Sequence, residues 1–236
     1  MVSPQRPSAL SQRLAAVLVD RLRGQRGLDA SPKDLALERL GTNYGGWVVP
    51  SALITQSWIC YCGGVGEDAS FDLELIRRFG CEVFAFDPTP RAIRFAEPIR
   101  ELEPRFHFEP IGLWSTDSVQ RFYAPANPSH VSHSLLNLQG TAEFFDAPCR
   151  TIESLMRSFG HGSINLLKLD VEGAEHTVLV SLFATSTRPL VLCFEVDRPV
   201  GILQLVGTLW RVARAGYRRV SVDGWNFTFV HRDAAT

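Results

Sequence analysis

The stretch Asn165–His176, NLLKLDVEGAEH, sets one lysine among three carboxylates: Lys168, Asp170, Glu172 and Glu175. Lysine is scarce in this chain. Lys33 is the only other one, and arginine supplies the remaining positive charge. The run INLLKLD reads as a buried strand, in which residues two apart share a face, so Lys168 and Asp170 point the same way at its carboxyl end. Two accounts of this pattern stand side by side. In one, Asp170 caps a following helix, Glu172 and Glu175 favour its first turn, and Lys168 is their counterion. In the other, Lys168, whose pKa burial can tune, acts with Asp170 and Glu172 on a bound substrate as an orienting group or a base. His133, which lies with His130 in the polar segment NPSHVSHS, is a further candidate base and equally a surface-loop residue. His107 sits inside a strand pattern and reads as structural. Glu195, near another strand end, is a candidate for the pocket wall, and Trp114 and Trp225 are either core or stacking residues.

A second constellation is CGGVGED, residues 62–68, which joins a strand to a helix. Gly64-Val65-Gly66 lets the backbone turn tightly and lets a ligand approach it. Asp87 ends the next strand, where a carboxylate can accept both hydroxyls of a ribose. Gly64-x-Gly66-x-x-Ala69 also satisfies the dinucleotide fingerprint. Charge separates the cofactors. The residues expected to open the helix are Glu67 and Asp68, which repel a pyrophosphate but suit the helix dipole and a cationic ligand. S-adenosylmethionine (SAM) has a ribose, a sulfonium and an ammonium but no phosphate, so it fits this loop better than NAD. The alternatives are a plain glycine turn, an NAD-dependent oxidoreductase, and a SAM-binding module without catalysis. A divalent cation on Asp170 and Glu172 is a further option. No Gly-x-Ser-x-Gly elbow or P-loop is present, which argues against a serine hydrolase or an NTPase.

The elements that must position these residues follow from periodicity. With 236 residues, 45% hydrophobic and 21% charged, the chain suits one α/β domain with an N-terminal extension. A formal charge of −1 gives no electrostatic reason to expect nucleic acid. The five cysteines, at 60, 62, 81, 149 and 193, read as buried free thiols, since Cys60-x-Cys62 has the wrong spacing for zinc. No apolar run reaches the roughly 18 residues of a membrane span and no signal-peptide core is evident, so a cytoplasmic location is expected. Helices are expected over 8–23 and, after Ser31 as cap, over 32–40; residues 1–50 would form a helical extension or lid over a domain at 51–236. From residue 57 strands alternate with helices: SWICYC, CEVFAFD, RFHFEP, SVQRFYAP, INLLKLD and PLVLCFEVD are strands. Helices follow the glycine loop, begin at Thr89-Pro90, carry Ala174, Val178, Leu179 and Leu182 on one face, and run from 202 to a stop at Gly216. A hairpin turning at Asp223-Gly224 closes the chain. Such alternation means a doubly wound, mostly parallel sheet covered on both faces, with ligands bound beyond the carboxyl ends of its strands.

GVGEDASFDLEL, VFAFDPTPRAI, IGLW, HVSHSLLNL and above all INLLKLDVEGAEHTVL resemble the FkbM-type methyltransferases, from about Trp58 to the terminal NFTFV. The resemblance implies a seven-stranded SAM-binding domain and O-methylation of a hydroxyl on a sugar or another small-molecule acceptor. It implies that Gly64, Gly66 and Glu67 surround the methionine and ribose of SAM, that Asp87 holds the ribose, and that Gly112 and Leu113 lie near the adenine. Lys168, Asp170 and Glu172 would line the reaction face. Cys60 and Cys62 stand where many such enzymes carry an acid, which leaves Asp170 or Glu67 to hold the methionine ammonium.

Overall fold

Strands that are apolar at consecutive positions need cover on both faces. The computed structural model describes residues 6–23, 35–124 and 141–235 and shows how that cover is arranged. The chain starts with α1 (Ala9–Arg23) and the hairpin β1 (Leu37–Leu40) and β2 (Trp47–Pro50). It continues through β3 (Ile59–Gly63), α2 (Ser70–Phe79), β4 (Glu82–Phe86), α3 (Pro90–Leu102) and β5 (Phe106–Glu109). Next come β6 (Gly112–Leu113), β7 (Ser118–Tyr123), β8 (Phe144–Arg150) and α4 (Ile152–Phe159). The last elements are β9 (Leu166–Leu169), α5 (Glu175–Phe183), β10 (Val191–Glu195), α6 (Ile202–Arg214), β11 (Tyr217–Asp223) and β12 (Asn226–His231).

The main sheet has seven strands in the order β5-β4-β3-β9-β10-β12-β11. It is parallel from β5 to β10, and β12 runs antiparallel to both of its neighbours. This is the expected doubly wound α/β architecture with an antiparallel C-terminal hairpin. From β3 the chain winds outward through β4 and β5, then returns to place β9 on the other side of β3. The carboxyl ends of β3 and β9 therefore flank the switch point, where such sheets bind ligands. Strand alternation divides the core. Tyr61, Phe86, Leu167, Leu169 and Phe194 face a layer that includes residues of α1, α4, α5 and α6, while Cys60, Cys62, Val83, Leu166 and Cys193 face a layer that includes α2 and α3.

Three expectations need correction. The helix expected over 32–40 is a strand over its described part, because Leu37–Leu40 pairs antiparallel with Trp47–Pro50. The buried Trp47 and Val49 anchor that hairpin against the α2 layer, so tertiary pairing outweighs a short helical periodicity. Helix α2 starts at Ser70 rather than at Glu67, which stays in the preceding turn with Asp68. At the closing hairpin Asp223 pairs with Asn226, so the two-residue turn is Gly224-Trp225. Strands β6 and β8 and helix α4 add to the expected elements; β6, β8 and β7 form a separate three-stranded sheet. None of the helices in the described residues is long and apolar enough to cross a membrane.

Helix α1 belongs to the main core: Ala15 and Val19 are fully buried within it. Ser11 Oγ accepts from the backbone N–H of Ile202 at 3.0 Å, which satisfies an orphan donor at the start of α6. Ser11→Ala should therefore destabilise the fold by about 1 kcal/mol, within the roughly 0.5–2 kcal/mol seen for lost caps. Urea unfolding at neutral pH reads this directly. An unchanged midpoint would show that α1 contributes nothing at that helix end.

Candidate active site

The glycine loop leaves β3 at Gly63 and meets β9 at once. Gly64 has φ +80°, and a Cβ there would collide with the carbonyl oxygen of Asp170. Only glycine allows this approach of two strand ends. The loop is held from the other side by Asp87. Its Oδ2 accepts from Val65 N and Gly66 N, both at 2.9 Å, and its Oδ1 accepts from Thr89 N at 2.9 Å. An ionised carboxylate has about four acceptor positions, so three of them hold backbone and one remains. The expectation that Asp87 takes both ribose hydroxyls is too generous for this geometry. Glu67 is paired with Arg91 of α3, through Nη2 at 2.6 Å and Nε at 3.2 Å. Its charge is thus offset, and it does not present a free anion to the loop.

Lys168 is 4% exposed and faces the α2 layer between Cys62 and Cys193 of the neighbouring strands. Its Nζ donates to the Gly64 carbonyl oxygen and lies 3.4 Å from Asp170 Oδ2. Asp72 of α2, itself buried, adds a second negative charge. Burial is the largest single influence and would lower the lysine pKa. The charges of Asp170 and Asp72 outweigh it and leave Lys168 above its ordinary value. At neutral pH it is a cation, which makes it a positioning residue rather than a proton acceptor.

Beyond the strand ends lies a run of carboxylates. Glu172 adopts φ 54°, a strained conformation for a residue with a side chain. The side chain of Glu175 folds back to accept from Val171 N at 2.8 Å and Gly173 N at 3.1 Å, fastening this turn. Burial, then the charge of Asp170 and a hydrogen bond to it, push Glu195 upward. Burial, then the charges of Glu175, Glu172 and Asp170, push Asp197 upward. Glu175 is raised too, mainly by burial. Low dielectric disfavours several like charges together, which is why Glu175, Glu195 and Asp197 all move in the same direction.

These elements enclose a cavity of about 480 Å³. It brings together Gly64, Gly66, Glu67, Asp87, Gly112, Leu113, Lys168, Asp170 and Glu172. His133 and His130 lie outside the described residues. His107 bonds Glu82 through Nε2 at 2.9 Å, away from the cavity lining. Gly112 is required for packing, since a Cβ would come within 2.6 Å of Cys149 Sγ and 2.8 Å of Phe122 Cζ. Among the described residues no group of three or more His, Cys, Asp or Glu side chains is placed to hold a metal ion. The cation considered for Asp170 and Glu172 thus lacks a ligand set, and Lys168 already supplies the positive charge at Asp170.

The sequence reading missed Asp72, Asp197, Asn226 and Tyr44. Asp72 and Asp197 were hidden in a helix start and a strand exit that read as ordinary polar positions. Tyr44 reaches the rim from the β1–β2 turn, which is far away in sequence and lay in a segment read as helical.

A doubly wound α/β sheet with a glycine loop and a cavity at its switch point puts the candidate site where such sheets bind ligands. The family model of the methyltransferase FkbM domain matches residues 64–218. The chain belongs to that family and is a methyltransferase by family. No curated protein matches it in sequence. Among solved structures, a transferase candidate from Pyrococcus horikoshii is similar at 10% identity and TM-score 0.38, over 93% of this chain and 81% of that one. TYW2 of P. horikoshii, solved in complex with MeSAdo, is similar at 10% identity and TM-score 0.37 over the same shares.

Two outcomes follow from the charges. Lys168→Met leaves Asp72 and Asp170 without their cation and should destabilise by about 3–5 kcal/mol; adding Asp170→Asn should restore part of that loss in urea titrations. An equal loss in the double variant would mean that the lysine acts by packing alone. The raised carboxyls act over a separate pH range. Their folded pKa values lie above the unfolded ones, so the folded state binds more protons. Their stabilising effect is complete below the ordinary carboxylate range and is lost as pH rises from about 4 through neutrality. The urea midpoint of Glu195→Gln should therefore fall less between pH 5 and pH 9 than that of the wild type. Parallel slopes would remove Glu195 from this account.

Proposed function

We propose that the protein is a SAM-dependent methyltransferase acting on a hydroxyl of a small-molecule or sugar-type acceptor. One observation carries the choice of cofactor. The Val65 and Gly66 N–H groups, which a dinucleotide pyrophosphate would need, already donate to Asp87. A phosphate would have to displace a carboxylate there, whereas a ligand without phosphate need not. Family membership points the same way. Arg91 offsets the charge of Glu67, so the filled amide cradle, rather than that carboxylate, disfavours a pyrophosphate.

The cradle has room. A Cβ on Gly66 would meet nothing within 4 Å, so the loop leaves open space for a ligand against its backbone. Asp87 has one acceptor position left for a ribose hydroxyl. Gly112 and Leu113 wall the side assigned to the adenine. SAM, when bound, supplies an electrophilic methyl group on a sulfonium. Methyl transfer is an in-line displacement that depends chiefly on orientation. Lys168 fixes the Gly64 carbonyl and Asp170 relative to one another. Asp170, whose side chain is 30% exposed, holds the acceptor hydroxyl and takes its proton as the new C–O bond forms. The N-terminal segment is part of the domain rather than an independent unit: α1 packs into the main core, and the β1–β2 turn serves as a cavity wall, with Tyr44 and Gly45 at the rim.

Calorimetry with SAM, S-adenosylhomocysteine (SAH) and NAD tests the reading. SAH should bind and NAD should not at the same concentration. Asp87→Ala should weaken SAH by about 10- to 100-fold, the effect of losing one charged acceptor. Asp170→Asn should bind SAH within a few-fold of wild type yet transfer no labelled methyl to a panel of hydroxylated small molecules. Tighter binding of NAD than of SAH would overturn the assignment.

A further inference from the structure

The cavity is lopsided in charge. Beyond the glycine loop's own acids, its lining gathers Asp170, Glu172, Glu195 and Asp197, with Tyr44 and Asn226 beside them. Among the described lining residues the only cation is Lys168, which is engaged by the Gly64 carbonyl and Asp170. Asp197 Oδ2 is buried and has no hydrogen-bond partner. Such an acceptor costs free energy unless a ligand supplies a donor.

A second observation comes from a different part of the chain. Tyr44 is 83% exposed although it lines the cavity, and it is held there deliberately tightly. Thr42 Oγ1 accepts from Tyr44 N at 3.2 Å and Gly45 N at 3.0 Å, and it donates to Asp68 Oδ2 at 2.5 Å. The backbone N–H groups of Gly41 and Thr42 donate to Glu74 and to Ser70 of α2. A turn fastened by this many bonds holds an exposed aromatic ring near Asp170, Glu172 and Glu195, whose charges act on its hydroxyl. An aromatic face beside carboxylates is the composition that takes up an organic ammonium.

We propose that this part of the cavity is a subsite for a protonated amine, with Tyr44, Glu195 and Asp197 as its walls, so that the hydroxyl acceptor is an amine-bearing molecule. This rests on the methyltransferase reading only for the word acceptor; the subsite itself stands on the cavity. An anionic acceptor, such as a phosphorylated or carboxylated sugar, would meet four carboxylates with no free cation. A neutral polyol would leave Asp197 no charged donor. The groups facing the bound amine are Asp170 just after β9, Glu172 of the following turn, Glu195 and Asp197 of β10 and its exit, and Tyr44; Glu175 is turned onto the backbone N–H groups of Val171 and Gly173. A cation among them favours their ionised forms, so its binding should release protons.

The probes are glucosamine and glucose, which differ by one amine, with galacturonate as the anionic arm. Each is titrated at pH 6.5 into protein saturated with SAH. Glucosamine should bind at least tenfold tighter than glucose, with galacturonate weakest. Its binding enthalpy should change with buffer ionisation enthalpy, reporting proton release, and Tyr44→Ala and Asp197→Asn should each abolish most of the preference. Tyr44 is exposed, so Tyr44→Ala should fold, and its melting temperature checks this. Equal affinity for glucose and glucosamine overturns the proposal. So does a preference seen only without SAH, which would give the subsite to the ammonium of the methyl donor. If SAH itself fails to bind, the methyl-donor reading fails, and the same titration on the ligand-free protein still decides the amine subsite.

Discussion

The buried ammonium of Lys168 holds the site together, because a cation at 4% exposure must be surrounded by acceptors or lose its charge. Its acceptors come from two elements, the glycine-loop carbonyl after β3 and Asp170 after β9, and the charge of buried Asp72 on α2 acts on it from a third. A compact ammonium with three donor directions can serve all of them, whereas a planar guanidinium in the same slot would present a fork of different shape. That explains a lysine in a chain that otherwise uses arginine. Gly64 completes the arrangement by allowing the two strand ends to touch. The floor of the cavity is therefore one cross-braced unit.

Around that floor, two ways of handling negative charge divide the cavity. On the loop side the acids are partnered: Asp87 by three backbone amides and Glu67 by Arg91. Glu195 and Asp197 are instead raised by burial and by their neighbours. The first arrangement rigidifies a loop, which suits the fixed geometry that methyl transfer requires. The second stores an unsatisfied electrostatic demand that a ligand can meet. The N-terminal hairpin joins the two, since Thr42 binds Asp68 beside the glycine loop and also fixes the turn that carries Tyr44.

Much of this was legible from the residues. Consecutive apolar strands, the helix stop at Gly216 and the Thr89-Pro90 helix start are local signals, and each appears where its local chemistry requires. Strand period placed Lys168 and Asp170 on one face, and glycine spacing marked the loop. What went astray was what depends on distant partners. Leu37–Leu40 is a strand because Trp47–Pro50 lies beside it, and Asp87 spends its acceptors on Val65, Gly66 and Thr89 rather than leaving them open.

The sequence by itself determined the fold class, the family and the acids and glycines gathered at the strand ends, because these follow from periodicity and from motifs contiguous in the chain. Tertiary structure decided what each charge does. Whether a carboxylate is an anion, a backbone acceptor or a retained proton depends on burial and on the nearest opposite charge. For Lys168, Asp87 and Asp197 those neighbours come from other elements, and for Tyr44 the cavity itself does. Only the folded chain brings them within the few ångströms over which hydrogen bonds and ion pairs act.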